Sequence, residues 1–194
     1  MPETPASQRR LHIGGAVARD GWEVLDVRAA PHVNHVGDAL DLSRFGDGTF
    51  AELYASHVLE HFDYKDQLHA ALAEWHRVLQ PGGVLRLSVP DIDILAHLLL
   101  QRHQLDVNQR FQVMRMIFGG HTHDHDYHRV GLNQDFMSAF LDRAGFERLQ
   151  RVSRHGLFPD TSDTVVLGTP ISLNLNAYKP LAPRCAATAL EATT

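Results

Sequence analysis

A single cysteine, Cys185, occurs in 194 residues. That excludes an intrachain disulfide framework and a thiolate-built zinc site, and it is compatible with a reducing compartment. No run approaches the roughly 20 apolar residues of a membrane-spanning helix, and Met1 to Arg10 lacks the apolar stretch of a secretory signal. The expectation is a cytoplasmic protein with no membrane partner. Lysine and arginine number 18 against 23 acidic residues, a net charge of −5, and the basic residues are scattered rather than drawn into a stripe. A backbone-gripping nucleic-acid protein is therefore disfavoured, and a small molecule or sugar is the better ligand class. Repeats and low-complexity blocks are missing. So is the Gly-x-Gly-x-x-Gly turn that lets backbone approach a pyrophosphate, which counts against a dinucleotide-dependent dehydrogenase.

What is present is an ordinary globular balance, 44% hydrophobic and 21% charged, enough for one sizeable core. Short apolar runs at Leu11-His12-Ile13, Trp22 to Val27, His35-Val36 and Leu53-Tyr54-Ala55 end at Gly, Asp or Ser, as buried strands entering loops do. Lys65 to Gln80 sets Leu68, Leu72, Trp75 and Leu79 at helical spacing, and Pro81-Gly82-Gly83 stops that helix before a strand from Val84 to Val89. Strand, helix, strand predicts a right-handed parallel crossover. Beyond Pro90 one helix carries Ile94, Leu95, Leu98 and Leu99, and a second carries Val107, Phe111, Met114 and Phe118. A further helix with Phe136, Met137, Phe140 and Leu141 ends at Gly145, and strands are expected at Phe146 to Ser153 and Ser172 to Tyr178. Residues 1–8 and 181–194 read as loose tails around one domain at 9–180.

In an open parallel sheet, ligands bind beyond the carboxyl ends of the strands. The residues there form a consistent set. Gly14 and Gly15 end the first strand and allow close backbone approach. Asp26 ends the second and suits ribose hydroxyls, while Gly37-Asp38-Ala39 ends the third, where a carboxylate can accept from an adenine amino group. Asp41 is the register alternative to Asp38. Ser56-His57 ends the fourth, and Glu60 and His61 read equally well as anchors of the following helix or as pocket residues.

Leu11-His12-Ile13-Gly14-Gly15, Gly37-Asp38-Ala39-Leu40-Asp41-Leu42, Ser56-His57-Val58-Leu59-Glu60-His61 and Arg77-Val78-Leu79-Gln80-Pro81-Gly82-Gly83 together resemble the class I S-adenosylmethionine-dependent methyltransferases, and in particular the type 11 methyltransferase domain. The resemblance is strong over Arg10 to Pro90. It implies a Rossmann-like three-layer α/β domain with a mostly parallel seven-stranded sheet whose last strand is antiparallel. Only about six residues separate Gly15 from Trp22, so the first helix is expected to be shortened, and residues 92–131 are expected to form a helical insertion with a histidine-rich loop. The resemblance further implies S-adenosylmethionine as cofactor, with S-adenosylhomocysteine as product. Gly14, Gly15, Asp26, Asp38, Ala39, Leu40, Ser56 and His57 are then its binding residues.

Fourteen histidines are many for this length, and they concentrate in His121-Thr122-His123-Asp124-His125-Asp126-Tyr127-His128. By resemblance this stretch meets the methyl acceptor, with His125, Asp126 and Tyr127 as substrate residues and His128 as the catalytic base. Its alternating His and Asp also permit a metal site, although no residue is assigned as a metal ligand. The leading expectation is methylation of an O or N atom of a small metabolite or sugar, in a protein that forms a homodimer. A non-catalytic cofactor- or metal-binding protein on the same fold is the alternative.

Overall fold

The computed structural model describes residues 8–182. Cys185 and nearly all of both expected tails, 1–8 and 181–194, lie outside the described residues. The main elements, in chain order, are strands β1 (Arg10–Ile13), β2 (Glu23–Asp26), β3 (His35–Val36) and β4 (Phe50–Ser56), helix α1 (Gln67–Val78), strand β5 (Leu79–Pro90) and helices α2 (Ile92–Leu99), α3 (Val107–Phe118) and α4 (Gln134–Arg143). Strand β6 (Glu147–Val152), the short hairpin β7 (Val165–Val166) and β8 (Thr169–Pro170), and β9 (Ser172–Tyr178) complete the chain.

Seven strands form one sheet in the order β3-β2-β1-β4-β5-β9-β6. The pairs from β3 to β5 are parallel, and β9 runs antiparallel to both β5 and β6. The chain leaves β1 towards β2 and β3, then returns to β4 and β5 on the other side. That reversal opens a crevice at the carboxyl ends of β1 and β4. The expected strands are all present within a few residues. Pro81-Gly82-Gly83, expected as a separate turn, falls inside β5 as an irregularity, because Phe50 faces Leu79 while Glu52 faces Val84.

Period-two alternation decides the core. Leu11 and Ile13, Leu53 and Ala55, Leu85 and Leu87, and Leu173 and Leu175 point to one side, where they bury against Leu68, Leu72 and Trp75 of α1 and Met137 and Leu141 of α4. The alternate positions are polar: Arg10 and Arg86 both pair with Glu52, and Asn176 accepts from Arg86. Residues 14–22 and 27–34 form turns, so the shortened first helix expected there is absent altogether. The second face is covered instead by an aromatic cluster of Trp22, Tyr54 and Phe158, with Leu157 packed against it.

The helices beyond β5 begin at side-chain caps: Asp91 accepts from the Asp93 amide, Asp106 and Gln109 make a reciprocal capping box, and Asn133 accepts from the Phe136 amide. Helices α2 and α3 share a small core of Leu95, Leu98, Leu105, Val113 and Ile171, separate from the main one. The apolar stripe at Val107, Phe111 and Phe118 does not enter it; these three side chains are 75%, 56% and 53% exposed, and Val113 on another face is buried. Among the described residues no helix is long and apolar enough to cross a membrane.

Trp75 is fully buried and its indole N–H donates to the Ala39 carbonyl at 2.9 Å, tying α1 to the loop after β3. Trp75→Ala is expected to destabilise the protein by about 3–5 kcal/mol in urea unfolding. A loss below about 1 kcal/mol would show that this ring is not a keystone of the core.

Candidate active site

A cavity of about 280 Å³ opens at the carboxyl ends of β1 to β4, close to the lower end of the range for small-molecule sites. Gly14, Asp26, Asp38, Ala39 and His57 line it together, joined by His125 and Asp126. Gly14 sits at φ +70°, and a Cβ there would lie 2.7 Å from Val58 Cγ2, so a side chain is excluded by backbone conformation and by contact alike. Asp26 accepts from the Arg28 amide at 2.7 Å and Asp38 from the Leu40 amide at 2.9 Å; each carboxylate is held by its own turn while it borders the cavity. Asp38 rather than Asp41 faces the space.

Gly15, Leu40 and Ser56 do not line the cavity. Gly15 accepts from the His32 ring through its carbonyl and abuts the His12 ring. Leu40 packs towards the main core. Ser56 is still paired with Ser88 inside the sheet. Their neighbours occupy the rim, because the chain turns one residue earlier or later than the motif spacing suggests.

His57 is the first residue beyond β4 and takes a left-handed φ of +55°, a conformation that costs a residue with a side chain of order 1 kcal/mol or more. Its amide still donates to the Ser88 carbonyl, and its Nε2 lies 3.0 Å from Ser172 Oγ. The bend aims His57 between the first cavity and a second one of about 150 Å³, lined by Met116, His128, Thr161 and Ile171 among others. His128, the expected base, thus lies in the neighbouring cavity, with His57 common to both. Burial lowers the His128 pKa, against the opposing charge of Glu60, and so favours the neutral ring that can take a proton.

The histidine-rich loop is knitted around Asp126. Gly120 and Thr122 donate to its carboxylate, Thr122 through both amide and hydroxyl, while the His121 amide donates to its carbonyl. The side-chain hydrogen bond from Thr122, more than any other contact, pulls the Asp126 pKa down to about 2. A Cβ on Gly119 would lie 2.3 Å from the Asp126 carbonyl oxygen, so the loop closes only over glycine. Asp126, expected as a substrate residue, is also the strut of the loop. Tyr127 stacks on His121 with 4.1 Å between ring centroids and lines neither cavity.

Arg28, His61 and His123 line the larger cavity without having been assigned. His61 carried a signal, standing one residue beyond Glu60 in the quoted motif. His123 carried one as a member of the histidine-rich stretch, while Arg28 carried none, since only the fold brings its turn to the rim. Thr161, on the 3-10 turn Thr161–Asp163, and Ile171, between β8 and β9, line the second cavity without having been assigned either.

Residues 18–87 match the sequence model of a methyltransferase domain. Solved structures of the same architecture include a S-adenosylmethionine-dependent methyltransferase from Methanosarcina mazei, 17% identical with TM-score 0.57, covering 92% of this chain and 95% of that one. Residues 18–87 thus carry the sequence of a methyltransferase domain, and the fold is the one shared by S-adenosylmethionine-dependent methyltransferases. A methyltransferase from Archaeoglobus fulgidus is 16% identical with TM-score 0.55 over 90% of this chain and 89% of its own. The 1,6-didemethyltoxoflavin-N1-methyltransferase of Burkholderia thailandensis, solved with S-adenosylhomocysteine, is 16% identical with TM-score 0.53 over 88% and 70%. The chain spans only 62% and 50% of the lengths of two other similar structures. A comparison with curated proteins gives no match.

Beside the glycine turn, His12 is packed between Tyr54 and Phe158, with ring centroids 5.0 and 4.0 Å away. Burial lowers its pKa from 6.5 to about 4; the charges of Asp160 and Asp26 oppose that shift, and His32 adds to it. The unfolded chain therefore binds the extra proton first, so the stabilising contribution of neutral His12 is present above pH 6.5 and lost as pH falls towards 4. A shift of this size corresponds to roughly 3 kcal/mol as an upper figure. Between pH 7 and 4.5 the melting temperature of the parent should fall relative to that of His12→Leu; a constant difference would show that His12 does not carry this dependence.

Proposed function

We propose that the chain is a class I S-adenosylmethionine-dependent methyltransferase and that it transfers a methyl group from S-adenosylmethionine to an O or N atom of a small metabolite or sugar. The observation that carries the reading is the pair of adjoining cavities with His57 on both. The larger fits the cofactor: Asp26 and Asp38 offer acceptors for hydroxyl and amino groups, and Gly14 leaves room for close backbone approach. The smaller, of about 150 Å³, suits a small acceptor.

Bound there, S-adenosylmethionine supplies an electrophilic methyl: the acceptor lone pair forms the new bond to carbon as the carbon–sulfur bond breaks, and S-adenosylhomocysteine departs with the electron pair. The protein's part is alignment and proton removal. Asp26 and Asp38 hold the nucleoside end, His57 borders the reacting region, and neutral His128 takes the acceptor's proton. His125 and Asp126 close the roof from the insertion. A cytoplasmic homodimer is part of the reading; the exposed Val107, Phe111 and Phe118 of α3 supply an apolar face for a second copy, and light scattering on the purified chain measures it.

Calorimetric titration with S-adenosylhomocysteine tests the cofactor site. The chain should bind it, and Asp38→Ala should weaken binding about 10- to 100-fold, as expected for losing a hydrogen bond to a charged group. No heat together with an unmoved melting temperature removes the enzyme reading. His128→Ala should lower kcat by about 10²–10⁴-fold while leaving that affinity in place, and an unchanged kcat overturns the base role of His128.

A further inference from the structure

Between the two cavities lies a buried acid that methyl transfer does not use. Glu60, on the 3-10 turn Leu59–His61 after β4, is 1% exposed, and neither carboxylate oxygen has a well-formed hydrogen bond. Its neighbours are imidazoles: His57 Nδ1 is 3.3 Å and His128 Nε2 4.0 Å from Oε1, and His61 adjoins it in sequence. Burial would push the Glu60 carboxyl up, but the close approach of His57 and the charges of His61 and His128 outweigh it and hold the group below the usual carboxylate range. A buried anion is costly unless a cation and hydrogen bonds compensate it.

We propose that Glu60, His61 and His128 form a binding site for one divalent transition-metal ion, of which zinc is the best match. Among the described residues, these three bring histidine nitrogens and a carboxylate oxygen within 4.8 Å of one another. Two His and one Glu is a donor set of three-ligand zinc sites, in which the fourth position stays open. Here the open position borders the cavities, since His61 lines the larger and His128 the smaller.

The surroundings hold the histidines as metal ligands are held. His61 donates from Nδ1 to the Tyr127 carbonyl at 3.1 Å, which leaves its Nε2 as the lone-pair nitrogen. His128 donates from its ring to the Ile117 carbonyl while Nε2 faces Glu60. A backbone carbonyl accepting the second ring N–H is the usual way of fixing a metal-binding tautomer. The turn and the loop are also tied by backbone, Arg129 N–H to the Glu60 carbonyl at 2.7 Å. Ligand atoms around a tetrahedral zinc stand about 3.3 Å apart, so the 4.0 Å between Glu60 and His128 closes by small side-chain rotations.

His57-Val58-Leu59-Glu60-His61 has the spacing His-x-x-Glu-His, which on a helix gives two histidine ligands on one face. The backbone breaks that arrangement. His57 is left-handed and turns Nε2 to Ser172, and His128, from the distant loop, takes its place. The loop itself offers less: the His123 and His125 rings are 6.4 Å apart and Asp126 is spent on Gly120 and Thr122.

Metal uptake requires neither cofactor nor turnover, so it is tested separately from methyl transfer; a bound ion would occupy the one lone-pair nitrogen of His128, so metal binding and the base role of His128 exclude each other. Metal-free full chain is titrated with Zn²⁺ by calorimetry and with Co²⁺ by visible absorption. One equivalent should bind, with the intense d–d bands of a four-coordinate site, and Glu60→Gln and His61→Ala should each weaken binding at least tenfold, since even indirect supports of metal ligands are worth about that much. The double variant His123→Ala/His125→Ala should bind like the parent. Melting curves report whether each variant is folded, and S-adenosylhomocysteine titration of Glu60→Gln reads the cofactor site independently. No uptake by the parent, parent-like uptake by folded Glu60→Gln and His61→Ala, or loss confined to the loop variant overturns the assignment.

Discussion

The site depends on one constraint: the sheet has a single strongly apolar face. Leu11, Ile13, Leu53, Ala55, Leu85 and Leu87 must bury together against α1 and α4, and burying each large aliphatic side chain contributes about 1.5–3 kcal/mol. A one-residue slip would turn these positions towards the polar face. Parallel pairing of β1, β2 and β4 in the resulting register brings their carboxyl ends to one level. Gly14, Asp26 and His57 then border the same space although 43 residues separate the first from the last. Trp75 extends this order to the third strand end by holding the Ala39 carbonyl.

The opposite face shows what a shortened chain does without helices between its first strands. Polar side chains remain there as ion pairs across β1, β4 and β5, and Trp22, Tyr54 and Phe158 cover the middle. Tyr54 donates to Asp160 at 2.6 Å and so fastens the segment before β7 to the sheet. The insertion after β5 supplies the roof at the other end of the crevice. Its loop closes around Asp126 and reaches the turn after β4 through the Arg129 amide, which places His128 beside Glu60.

The strands, the α1 core positions and the candidate residues at the strand ends were legible because they depend on short-range patterns. Alternation gives the buried face of a strand, and Gly or Asp at its end gives the rim. Gly15 and Ser56 show the limit of that logic: a residue adjacent to a rim position points into the sheet or a neighbouring turn when the backbone bends one step away. Helix α3 shows another limit. Its stripe at Val107, Phe111 and Phe118 is a true helical face, yet it is exposed, because periodicity defines a surface without naming what covers it.

The amino-acid sequence alone determined the strand and helix pattern, the sheet's apolar side and the carboxylates at its edge, since these follow from local stereochemistry and the segregation of apolar from polar side chains. Tertiary structure decided the roles of the histidines. His12 became a neutral core residue, His57 a left-handed corner shared by two cavities, and His61 and His128 the neighbours of one buried carboxylate. An imidazole takes its protonation and its function from the groups within a few ångströms. For His57 and Ser172 those groups are 115 residues apart in the chain, and only the closing of the fold brings them together.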